Sequence, residues 1–277
     1  MKMTEIIKDS FLFPSKNSGR YAIYLLLSSL MVLFAIGGII TCAFGILNAE
    51  NYLTGGMYLI ISILIAFIIA GYHIKFLKSG INLDDNVPSF KLYEDFMTGF
   101  DNFVVLIFYF LIPALIVVLV GLDTNIFVKS IDVIRELLLQ AFNVYIMGSP
   151  VDIAVSTISF TLNNFVNSLA TTLTVALVLF VIFSFIQSIA EARLANTGSL
   201  KEALNIFETL KDIKRIGIFR VILVIVLVEV IIIGIEFILA IILNSFPFLL
   251  TTFCIIITPY FVLVTQRAIG LLYSDIV

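Results

Sequence analysis

Glu229 and Glu236 interrupt an apolar stretch of about Ile216–Leu243. A carboxylate in hydrocarbon is costly and normally faces a bundle interior or a wet cavity. A seven-residue spacing places both on one helix face, about 10 Å apart. Two readings are open. The pair binds a cation or a proton, or lines a polar path; or both acids are neutral and bonded to neighbours such as Ser184, Gln187, Thr41 or Thr258. His73, the single histidine, ends another apolar stretch with no Cys or carboxylate cluster near it in the sequence. A metal site is therefore not expected, and the ring is expected to snorkel to the interface. HExxH, GxSxG, phosphate-loop and dinucleotide patterns are all missing. No enzyme, catalytic residue or cofactor is expected.

The elements that would position these residues follow from composition. Hydrophobic residues make up 61% of the chain and charged residues 13%, with a net charge of −3 and a mean hydropathy of +1.16. A soluble domain carries about 45–50% apolar and about 25% charged residues, so lipid is the fitting solvent. Nucleic acid is not an expected partner; membrane lipids are. Cys42 and Cys254 both lie in apolar stretches and read as small hydrophobes.

A span needs about 20 apolar residues. Six stretches qualify, at about 21–47, 54–77, 103–122, 167–190, 216–243 and 246–271. Only helices and closed barrels satisfy their backbone in lipid, so an all-α, six-span bundle in a single membrane domain is expected. With the N-terminus inside, the inner side holds 14 Lys and Arg and the outer side only Lys129 and Arg135. The positive-inside bias then places both termini in the cytoplasm of a multi-pass cell-membrane protein. The apolar residues of 4–13 read as a short helix lying on the inner leaflet. Pro113 and Pro259 should kink spans three and six. Tyr24, Tyr72, Tyr260 and Tyr273 read as interfacial aromatics.

The two long inner loops resemble each other. Gly80 and Gly99 are nineteen apart, as are Gly198 and Gly217; each first glycine follows a basic residue, Lys75 or Arg193, by five positions. The offset is 118 residues, or two spans, so hairpins repeated in parallel are expected, with Gln266–Gly270 as a truncated third copy. Ser89 is expected to cap a short helix carrying Phe90, Leu92, Tyr93 and Phe96. Ser199 with Glu202 forms a capping-box pattern, followed by Leu200, Ala203, Leu204, Ile206, Phe207 and Leu210 at helical spacing. Both loops should lie on the inner interface.

Gly71-Tyr-His-Ile-Lys75, Gly80, Val87-Pro88-Ser-Phe90, Tyr93-Glu-Asp-Phe96, Gly99 and Arg267-Ala-Ile-Gly270 together resemble the signature of the uncharacterised, largely archaeal membrane-protein family catalogued as domain of unknown function 4013. Val87 stands where that signature usually has Leu, and Lys75 where it usually has Arg. The resemblance covers nearly the whole chain; it implies a six-span membrane fold and supplies no activity.

Residues 123–166 are expected outside: a helix capped by Thr124 reaching about Tyr145, then a break at Gly148-Ser149-Pro150 and a helix running into span four. Either two helices on the leaflet or a lid fits. Small residues four apart, Gly37, Thr41 and Gly45 on span one and Ser62, Ala66 and Ala70 on span two, let backbones approach; they pack the first hairpin or a homo-oligomer. Two functions fit: a transporter or transport accessory using Glu229 and Glu236, or a non-catalytic scaffold or partner subunit of another membrane protein, with lipid binding among its roles.

Overall fold

The computed structural model describes residues 1–44, 49–148 and 151–277. Gly45, Ser149 and Pro150 lie outside the described residues. The chain is all-helical: α1 (Met3–Leu12), α2 (Ser18–Phe44), α3 (Ala49–Ile81), α4 (Leu92–Asp123), α5 (Ile126–Tyr145), α6 (Val151–Thr197), α7 (Leu200–Ala203), α8 (Ile206–Ile216), α9 (Ile218–Leu243) and α10 (Pro247–Tyr273). Six of these, α2, α3, α4, α6, α9 and α10, are long and apolar enough to cross a membrane. Their outward side chains are large hydrophobics such as Leu33, Ile233 and Phe219. In water such exposure would be ruinous; in lipid it is the low-energy surface. The protein is a multi-pass membrane protein.

Two compact units share the chain: residues 1–106 with 185–277, and residues 107–184. In the first, α2 and α3 form a hairpin, and α10 packs on α3, α9 and α1. The hairpin closes at Gly38 and Gly55. A Cβ on Gly38 would lie 3.0 Å from the Gly55 carbonyl oxygen. The close approach is thus one residue beyond the expected Gly37, whose carbonyl instead accepts from Thr41 Oγ1 within the same helix (2.7 Å). Ser62 does cross between the helices, donating to the Met31 carbonyl (2.9 Å). Ala66 and Ala70 are half-buried.

Helix α1 packs into the first unit. Ile6, Ser10 and the following Phe13 are fully buried, and α1 docks on α10 and α9. No separate helix follows Ser89; α4 begins at Leu92 and continues as the third span. The other loop carries two helices where one was expected. Ser199 makes no side-chain cap, and the other half of the expected box is not made either: the Ser199 amide donates to Thr197 Oγ1 (3.2 Å), while Arg193 takes Glu202, its Nη2 donating to Glu202 Oε2 (2.7 Å) and its Nε to the Glu202 carbonyl (3.0 Å). The chain then breaks, and Asn205 caps α8 by accepting from the Glu208 amide. Thr209, Asp212, Ile213 and Ile216 form the buried face of α8, while Phe207 and Leu210 point outward. On its exposed side Lys211 hydrogen-bonds Glu208 (2.6 Å) and holds that carboxyl below the usual carboxylate range.

In the second unit α5 packs by its polar side. Lys129 Nζ donates to Ser168 Oγ on α6 (2.6 Å), and the Thr124 and Thr172 hydroxyls lie 3.1 Å apart. Phe110 stacks on Phe180. Asn125, in the left-handed region, precedes α5 without capping it through its side chain; Thr124, the expected cap, turns to Thr172. A polar cavity of about 510 Å³ is lined by Lys129, Asp132, Arg135, Glu136, Leu139, Thr161 and Asn164.

Candidate functional site

Three base–acid contacts hold one end of the first unit. Lys75, near the end of α3, reaches Asp95 Oδ1 in the first turn of α4 (2.5 Å) and Glu94 Oε2 (3.5 Å). Asp95 is wholly buried, and its other oxygen accepts from the Lys91 amide (2.7 Å). Arg193, near the end of α6, donates to Asp212 Oδ2 on α8 (2.6 Å), and the Tyr273 hydroxyl donates to the same oxygen (2.7 Å). Arg267, near the end of α10, binds Asp9 of α1 (2.8 and 2.9 Å), donates to Ser79 Oγ (3.2 Å) and covers the Phe13 ring at 3.6 Å. Lys75 to Glu94 and Arg193 to Asp212 both span nineteen residues, and the two pairs are 118 apart, the offset of the sequence repeat. The third contact joins the last span to the first helix. The order is cyclic: Lys75 at the end of α3 grips the start of α4, Arg193 at the end of α6 grips α8, and Arg267 at the end of α10 grips α1. Met1 and Asp275 also form an ion pair (2.7 Å), so both termini lie on this face.

The glycines at repeated positions do different work. Gly71 and Gly99 let α3 and α4 touch backbone to backbone: a Cβ on Gly71 would lie 1.7 Å from the Asp95 carbonyl oxygen, and one on Gly99 1.8 Å from that of Phe67. Gly80 meets Gly270 on α10 in the same way. In the other copy, Gly198 and Gly217 end helices at positive φ. Pro88 accepts from the Tyr72 hydroxyl (3.3 Å), and Phe90 stacks on the Tyr72 ring at 3.8 Å. Val87 plugs the core formed by Phe13, Tyr24, Ile69, Tyr72, Phe76 and Leu263. Gly71, Lys75, Gly80, Pro88, Phe90 and Gly99 thus meet around α3 as one joint.

Above this joint a groove of about 700 Å³ opens between α2, α3 and α10. Its walls include Val32, Leu33, Ile36, Ile69, Cys254, Ile255 and Val262, and its polar end is Tyr24 with His73. The Tyr24 hydroxyl and His73 Nε2 are 2.8 Å apart. His73 therefore faces α2 instead of snorkelling to the interface. Tyr24, Tyr72 and Tyr273, expected at the interface, are buried links between elements, and the Tyr260 hydroxyl donates to the Phe11 carbonyl (2.5 Å). Volumes of about 300–1,000 Å³ suit a small-molecule ligand. Here the mouth is apolar and lies on spanning helices, so the arrangement can hold a hydrocarbon chain with a hydrogen-bonding group at one end.

The span-five carboxylates are separate in their settings. Glu229 is half-buried and its Oε1 accepts from Thr265 Oγ1 on α10 (3.0 Å), a partner outside the expected set. Glu236 is exposed. Among the described residues no group of three His, Cys, Asp or Glu is placed to hold a metal. Sequence reasoning missed the groove, because its walls are ordinary Ile, Val and Leu. It also missed Asp95 and Asp212 as buried groups and Asp9 as the partner of Arg267, although for Asp212 an acid nineteen residues after a base was a usable signal.

A family model described as Protein of unknown function (DUF4013) matches residues 54–244. Neither the curated proteins nor the solved structures yield a match. The matched segment runs from within α3 through the whole of α9, and the chain belongs to that family.

Proposed function

We propose that the protein is a non-catalytic lipid-binding component of the cell membrane, with both termini in the cytoplasm, and that it seats one hydrocarbon chain in the groove between α2, α3 and α10. The groove carries the reading: it is open on helices that face lipid, its walls are aliphatic, and Tyr24 and His73 offer a hydrogen bond at one end. The orientation is supported by the bias of Lys and Arg toward one set of loops. Transport through Glu229 and Glu236 has weaker support, since one side chain is tied to Thr265 and the other faces outward.

The test is native mass spectrometry of the purified full chain, with its co-purifying lipids, against a Val32→Trp variant that fills the groove. We expect a lipid retained at one per chain and lost in the variant, with folding unchanged. Equal lipid retention by both proteins would overturn the reading.

A further inference from the structure

At the base-rich end of the first unit, the Glu191 carboxyl on α6 is buried. Gln187 Nε2, one turn earlier, donates to its Oε1 (2.6 Å). The amides of Asn102 on α4 and Gln266 on α10 hydrogen-bond to the same carboxyl. Both amides turn nitrogen toward Glu191, and this strands Asn102 Oδ1 and Gln266 Oε1 as buried oxygens with no hydrogen-bond partner. Asn102 is only 8% exposed, so bulk water does not serve its oxygen. A buried carboxylate ordinarily takes a base. The bases near it are committed: Lys75 to Asp95, Arg193 to Asp212 and Arg267 to Asp9.

We propose that Glu191, Asn102, Gln187 and Gln266 form a binding site for one monovalent alkali cation. Rotating an amide by 180° exchanges its oxygen and nitrogen without changing its shape. With the amides of Asn102 and Gln266 so turned, the two stranded oxygens join the carboxylate as hard-oxygen ligands around the ion. One carboxylate among neutral amides matches a single positive charge; divalent sites recruit more carboxylates or retained water. The ion would tie α4, α6 and α10 together beside the Arg193 and Arg267 contacts. The site is independent of whether the groove holds lipid.

The experiment uses purified full-length protein in lipid nanodiscs at constant ionic strength, comparing sodium, potassium and N-methyl-D-glucamine chlorides. Binding is read with radioactive sodium and with rubidium as the potassium tracer; thermal unfolding is read in parallel. We expect one alkali cation to bind at one per chain and raise the unfolding temperature above that in N-methyl-D-glucamine. Glu191→Gln, which keeps the side chain's shape and loses the charge, should abolish both effects. Gln266→Leu, which removes one oxygen, should weaken binding about tenfold, equivalent to about 1.4 kcal/mol. If Glu191→Gln does not fold, Gln266→Leu decides. Equal stability in all three salts, or undiminished tracer binding in the variants, would overturn the proposal.

Discussion

The two units treat charge differently. The first keeps charge inside: Asp95, Asp212 and Arg267 are all buried, each against an opposite charge, and glycines bring its helices into backbone contact. The second keeps charge in an open polar cavity, and none of the described side chains of α5 is buried. Its hydrophobics, Ile131 and Leu138 among them, face outward. In lipid, apolar burial between helices supplies little drive, so directional contacts and close packing decide which helices associate. The first unit concentrates both. In the second, Thr124 and Lys129 make hydroxyl and amine contacts with α6, and Phe110 stacks on Phe180.

The sharpest test of that contrast is Asp212→Ala. It removes one of the two carboxylates on Arg193, leaving Glu202, and the acceptor of Tyr273, and should cost about 3 kcal/mol, the low end for breaking a buried pair; thermal unfolding in nanodiscs measures it. A loss below about 1 kcal/mol would mean the two units do not differ in kind. Next is Gly71→Ala. The added methyl collides with the α4 backbone, and separating the helices should cost about 3 kcal/mol, the upper range for overpacking. Gly121→Ala in the second unit is its control. A Cβ there meets only the side chains of Ile126 and Phe127 at 3.3 Å, and helix propensity gains up to about 1 kcal/mol, so little net change is expected. The smallest effect belongs to Lys129→Met, which removes the contact with Ser168 from a solvent-facing cavity and should cost about 1 kcal/mol or less. Hydrogen exchange on residues 126–145 would register the loosening even where the unfolding temperature does not.

Six spanning helices were legible because hydrocarbon thickness converts directly into a run length that 20 apolar residues satisfy. The α6 helix was legible for a related reason: no Pro or Gly interrupts residues 152–194. Helix starts were less so. Ser89 and Ser199 have the right side chains for caps, yet neither caps a helix: α4 starts at Leu92, Ser199 makes no cap bond, and Glu202, the other half of the expected box, serves Arg193. The tyrosines show the same limit. Position near a span's end places a phenol at the right depth; it does not say whether the ring faces lipid or a neighbouring helix. Glu229 and Glu236 were conspicuous because charge stands out in apolar sequence. The groove was invisible because it is a shape made by three helices that are distant in the chain.

The cyclic order of the three base–acid contacts has a consequence for biogenesis. Lys75 meets Asp95 across twenty residues and Arg193 meets Asp212 across nineteen, so these pairs can form as soon as the following helix is synthesised. Asp9 must wait for Arg267, 258 residues later. Through most of translation α1 is a helix without its mate, and its insertion is the event that closes the circuit. A chain stalled before the last span would carry an unfastened α1, which quality-control proteases could recognise as the mark of an unfinished molecule.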